Sequence, residues 1–231
     1  MKRGILVAVM VLSFVMVTSF MVSGVLADEH MEDETLSDMS IYGGAYYTTF
    51  ADSDLDELEE ELDLDLSSGF GIKAGGEMAI TPEFGLAAEY TRIFNSDSVS
   101  DTFEEDEQTV DVDIDISMPI NALRGDAVLY VSQFIEQENV PEIKLTGGAG
   151  YYFGEMKAEF TATDGIEEYS ETETEDYSGL GIKLGLSVEQ EVADDFSVRG
   201  DLGYRILDLE NGDDDFNANG LEVGGGVAYS F

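Results

Sequence analysis

Hydrophobic and polar positions alternate in twos through most of this chain, most plainly in its last eleven residues. Leu221, Val223, Gly225, Val227, Tyr229 and Phe231 fall on one face, and Glu222, Gly224, Gly226, Ala228 and Ser230 on the other. Side chains alternate across a strand, so this segment predicts a β-strand with one apolar face and one small or polar face. A tilted strand needs roughly 9–11 residues to cross a bilayer, and this one has that length.

The same alternation recurs along the chain. A first strand is expected over Ser40–Phe50, with its facing left open because tyrosine occurs on both parities. The second and third strands carry Phe70, Ile72, Ala74, Met78 and then Phe84, Leu86, Ala88, Tyr90 on one face, joined by a tight turn at Thr81-Pro-Glu83. In the fourth, Val110, Val112, Ile114, Ile116, Met118 and Ile120 alternate with Asp111, Asp113, Asp115, Ser117, Pro119 and Asn121. Gly125 is expected to mark a bulge or bend, and Ala127–Val131 to extend the strand. Ile143–Phe153, Leu180–Val188 and Phe196–Ile206 supply the fifth to seventh strands, and the closing segment is the eighth. Connections alternate between short turns and long acidic loops, apart from a longer turn over Ser132–Pro141. Within the first loop Leu55, Leu58, Leu62 and Leu66 recur at helical spacing, which allows a short amphipathic helix.

Eight strands with this rhythm predict an all-β fold, an eight-stranded antiparallel up-and-down transmembrane β-barrel with short turns on one side and long loops on the other. A soluble eight-stranded barrel is the alternative; it would turn the apolar face inward.

The amino-terminus agrees with export. Lys2 and Arg3 precede an apolar run from Ile5 to Val22 and a small-residue site ending at Ala27. That is the layout of a signal peptide over residues 1–27, although the apolar run is longer than usual and an uncleaved anchor is the competing reading. An acidic lead over 28–38 precedes the barrel at 39–231. Beyond Ala27 there are eight bases against 51 acids, which excludes a nucleic-acid footprint. No cysteine is present and the single histidine is His30, so thiol chemistry, a zinc cage and a histidine triad are all excluded; an enzyme is not expected.

The eight-strand layout, the run Gly147-Gly-Ala-Gly-Tyr-Tyr-Phe153, the glycine-rich last strand and the terminal Phe231 resemble the small outer-membrane β-barrel superfamily that includes opacity-type proteins. The resemblance covers the whole chain after the leader, in a strongly acidic, halophile-type form. It implies location in the outer membrane, contact with outer-membrane lipid, and Tyr229 and Phe231 as part of the signal read by the barrel-insertion machinery. It implies no single activity and no cofactor.

Candidate chemistry divides between lumen and loops. Lys73, Lys144, Lys183, Arg199 and Arg205 fall on the face opposite the lipid, together with Glu77, Glu89, Glu189, Asp201 and Glu222. In a barrel this narrow such charges are expected to pair and plug the axis. Glu189 and Arg199 should meet across the Asp194–Asp195 turn, and Arg205 with Glu222 is the next pair. Arg92, Arg124 and Lys157 are expected near strand ends. The four long loops hold 26 acids and no base, a surface suited to diffuse cation binding. Asp213, Asp214 and Asp215 are the best local metal candidates, but an EF-hand register starting at Asp215 puts Gly226 where a glutamate is required. Asp111, Asp113 and Asp115 read as a strand end standing above the membrane. Arg124-Gly-Asp126 matches an integrin-binding tripeptide but is expected on the periplasmic side, out of a receptor's reach. The expected role is structural or surface-interacting, with a narrow pore for small solutes as the alternative.

Overall fold

The structure, a computed structural model, describes residues 39–50, 66–105, 108–135, 140–163, 168–212 and 214–231. The leader, the acidic lead and the leucine-spaced part of the first loop before Leu66 lie outside the described residues.

The strands are β1 (Met39–Thr49), β2 (Ser68–Ala79), β3 (Phe84–Phe94), β4 (Ser96–Glu105), β5 (Gln108–Ser117), β6 (Ile120–Tyr130), β7 (Glu142–Thr163), β8 (Glu168–Ala193), β9 (Phe196–Asn211), β10 (Asp214–Asn217) and β11 (Gly220–Ser230). Eight of them close into a ring. β1 pairs with β2, β2 with β3, β3 with β6, β6 with β7, β7 with β8, β8 with β9, β9 with β11, and β11 returns to β1, every pair antiparallel. Closure leaves no unpaired edge within the ring.

Facing follows the alternation. Ile72, Leu86, Leu184, Leu202 and Val223 point outward and are exposed, while Lys73, Glu89, Lys183 and Glu222 are buried inside. So continuous an exposed apolar surface belongs against lipid rather than water. In β1, where the sequence left the facing open, Tyr42 and Tyr46 turn in and Ile41 and Tyr47 turn out.

The structure corrects the sequence reading at the long-loop end. The second loop is a hairpin: β4 pairs with β5 from Ser96–Ser117 to Glu105–Gln108, and β5 continues onto the far half of β7. β7 and β8 themselves run unbroken to Thr163 and Glu168, so much of the third loop is also sheet. Within the fourth loop, β10 folds back on β9. The expected fourth strand is two elements, broken at Met118–Pro119. Proline has no N–H for a ladder, and Met118 instead donates its own N–H to the Asn95 carbonyl at 2.7 Å. Gly125 is not a bulge; β6 pairs in unbroken register on both sides of it.

The inward side chains near the long-loop end are apolar. Tyr46, Phe50, Leu66, Ile93, Ile116, Met118, Ile120, Ala122, Tyr152, Leu207, Leu209 and Ala218 form one buried cluster. Ile116 and Met118 therefore look inward, whereas Asp111, Asp113 and Asp115 on the opposite face of β5 are exposed. Above the lipid the outward face meets water, so the polar side of the strand turns out and the apolar side turns in.

Candidate functional site

The lumen below this cluster is filled by charge. Six bases point into it, Lys73, Arg124, Lys144, Lys183, Arg199 and Arg205, together with six acids, Glu77, Glu89, Asp126, Glu189, Asp201 and Glu222. Regular strands place them: each sits on the inward parity, and register brings partners on neighbouring strands level.

Nearest the short turns, Lys144 reaches Glu77 at 2.8 Å, Glu189 at 2.9 Å and the half-exposed Glu142 at 2.9 Å. The Tyr130 hydroxyl donates to Glu77 at 3.0 Å. Arg199 lies directly across from Glu189, as the turn geometry predicts, and bonds it at 3.1 Å. Its shorter bond, 2.6 Å, goes to Asp201, and its guanidinium stacks 4.2 Å over the Tyr42 ring. One level up, Lys73 meets the other oxygen of Asp201 at 2.8 Å. Arg124 holds Glu89 at 2.8 Å and Asp126 at 3.1 Å, and the Tyr42 hydroxyl donates to Glu89 at 3.0 Å. Lys183 and Arg205 are cross-strand neighbours of like charge, and Glu222 lies between them, bonded to both, with Arg205 at 2.8 Å. Arg205 is fully buried; it also donates to the Ala218 carbonyl at 2.8 Å and lies over the Phe50 ring.

Glycines on the inward face leave the space these side chains occupy. A Cβ on Gly75 would lie 2.5 Å from the Tyr42 Cζ and 2.7 Å from the Ala88 carbonyl, and one on Gly150 would meet the Arg124 stem. Among these side chains lies a cavity of about 20 Å³, lined by Tyr42, Tyr46, Lys73, Glu89, Arg124 and Arg199 among others. A water needs roughly 10–15 Å³ by the same measure, so one water fits and a file of them does not.

All ten lumen candidates thus lie inside the barrel. Sequence reasoning missed two more. Arg124 was expected near a strand end and Arg124-Gly-Asp126 on the periplasmic side; both charged residues instead point into the lumen from the middle of β6. Their signal was the shared parity of Ile120, Ala122, Arg124, Asp126, Val128 and Tyr130, obscured because the outward positions Asn121, Gly125 and Ala127 are not strongly apolar. Of the remaining bases, Lys157 pairs with Glu159 at 2.7 Å and Arg92 faces outward.

At the short-turn end, Tyr229 packs 4.9 Å from Phe196 and 6.0 Å from Phe231, centroid to centroid. The Phe231 N–H donates to the Met39 carbonyl at 3.0 Å, which ties the last residue to the first strand. The side chains of Asp213, Asp214 and Asp215 lie outside the described residues. No group of three or more potential metal ligands occurs among the described ones.

Residues 13–231 match the family model described as the outer membrane protein beta-barrel domain. The chain belongs to this family. It is an integral protein of the outer membrane, with the eight-strand ring embedded in lipid. Among solved structures it is similar to Ail, the attachment invasion locus protein of Yersinia pestis, solved with the heparin analogue sucrose octasulfate. That match has 15% identity and a TM-score of 0.48, and covers 85% of this chain and 100% of Ail. It is similar to Neisserial surface protein A at 16% identity and TM-score 0.43, covering 84% and 97% of the two chains. OprG of Pseudomonas aeruginosa matches at 13% identity and TM-score 0.42, covering 87% and 99%. No curated protein matches the chain.

Proposed function

We propose that this barrel is closed and that it acts at its outer surface, in a structural or surface-interacting role, rather than by passing solutes. The observation that carries this reading is the lumen content: six bases matched by six acids, beneath an apolar cluster at the outer mouth. An ion entering from outside meets a layer made mostly of hydrocarbon and aromatic side chains, which is costly. Below that layer it must separate buried ion pairs, and breaking one by removal of a partner costs ~3–5 kcal/mol.

Among the described residues the lumen's acids are matched by bases, and unmatched acids stand on the long connections. On the outer hairpin Asp111, Asp113 and Asp115 stand exposed, with Thr102 and Ser100 donating to Asp111 and Asp113. This surface suits diffuse capture of cations, to which Asp213, Asp214 and Asp215 would contribute, and contact with basic partners. Tyr229 and Phe231 fit the role of an assembly signal for the insertion machinery. No catalytic role is proposed: the chain's one histidine is His30, no cysteine exists, and the buried carboxylates are occupied by bases.

The test is efflux from liposomes loaded with potassium and reconstituted with folded protein. Retention equal to that of empty liposomes is expected. Rapid loss of potassium would instead favour a narrow pore.

A further inference from the structure

Six of the eight bases beyond residue 27 are paired with acids inside the barrel, and Lys157 is held by Glu159. Arg92 differs from all of these. It points outward from β3, is exposed, and makes no ion pair among the described residues. Turned towards lipid with no described carboxylate beside it, this exposed base is open to an anion that approaches from outside the barrel.

Its height agrees. Phe84 sits beside the short turn and Arg92 eight residues further along β3. At ~3.3 Å per residue and a tilt of about 40°, that separation spans ~20 Å of bilayer, close to the ~25 Å apolar band of such barrels. Arg92 therefore lies at the outer headgroup boundary. Its guanidinium stacks 5.2 Å over the Phe94 ring, which uses the face of the group and leaves its edge of N–H donors free. Directly across on β6 is Asn121. The Tyr90 hydroxyl donates to the Asn121 Oδ1 at 2.8 Å, so the amide oxygen is occupied and the amide N–H₂ faces the same outer surface as Arg92.

We propose that Arg92 and Asn121 form a binding site for the phosphate of an anionic lipid headgroup in the outer leaflet, with Phe94 and Tyr90 fixing their orientation. A planar guanidinium edge with an adjacent amide donor suits tetrahedral phosphate oxygens. The lipid is favoured over soluble phosphate because the acidic outer loops repel free anions, whereas a headgroup arrives from the side, within the membrane plane.

Native mass spectrometry of the folded full-length protein tests this, after release from phosphatidylcholine nanodiscs doped with phosphatidylglycerol. Retained phosphatidylglycerol should exceed its bulk share by about fivefold, the gain expected from one base at an anionic surface. Arg92→Gln should lose that enrichment, and Asn121→Ala should lose part of it, with both variants keeping the heat-dependent gel mobility of a folded barrel. Arg92→Lys, which keeps the charge but loses the planar fork, should fall between. Undiminished enrichment in both Arg92→Gln and Asn121→Ala overturns the proposal. Displacement of the retained lipid by millimolar inorganic phosphate also overturns it, since the site would then belong to a soluble anion.

Discussion

Arg199 shows how closely the lumen charges depend on one another. It bonds Asp201, Glu189 and the Ser187 hydroxyl while stacking on Tyr42, so Arg199→Ala strands buried carboxylates beside a cavity with room for about one water. We expect a loss of ~3–5 kcal/mol in urea unfolding from lipid vesicles. The second-site partner matters. Removing Glu189 as well restores neutrality and leaves Lys144 with Glu77 and Glu142, so the Arg199→Ala/Glu189→Ala pair should recover part of the loss. Removing Asp201 instead strands Lys73, whose ion pair is with that residue, so Arg199→Ala/Asp201→Ala should recover little. Equal recovery in the two double variants would mean the charges act as a diffuse field rather than as named pairs. The Glu189–Arg199 contact was legible in the sequence because a two-residue turn fixes its register. The contact of Arg124 with Glu89 was not, because it joins residues 35 positions apart and the weakly apolar outward face of β6 hid the strand's parity.

Among the elements, the ring strands could be read wherever one face met lipid, since a period of two with an apolar outer face leaves one solution. Above the lipid that cue inverts. In β5 the apolar face packs inward, so the same alternation led to a single long strand where Pro119 separates two. Likewise β4 could not be seen, because Ser96–Glu105 carries only Val99 and Phe103 as apolar residues, too few to mark a face, and gains its structure from pairing with β5. Strand-to-strand fit inside the ring gives a second prediction. Gly75 lies where the Tyr42 ring crosses from β1 to β2, and on its other side is the Ala88 carbonyl, which cannot rotate away. Gly75→Ala should therefore destabilise the barrel by roughly 1–3 kcal/mol through overpacking, read as a lower urea midpoint. An unchanged midpoint would mean that the lumen is looser than its ~20 Å³ cavity indicates.

The whole molecule separates its charges. In a chain of net charge −41, the described residues line the lumen with six bases and six acids, while Asp111, Asp113 and Asp115 stand exposed on the long hairpin. The outer connections should therefore repel themselves at low salt. Their resistance to limited proteolysis should rise with sodium chloride as screening shortens towards the ~10 Å Debye length at 0.1 M. If sodium chloride has no effect while micromolar calcium protects, a defined cation site exists and the diffuse account is wrong. Closure of the lumen is read by single-channel recording in a planar bilayer. The wild type should show no steady conductance above the bare membrane, and Arg205→Ala, which removes a fully buried base beneath the apolar cluster, should introduce brief openings or leakage. A large, steady, cation-selective conductance from the wild type would mean an open lumen, because it would require hydrated acids in place of matched buried pairs.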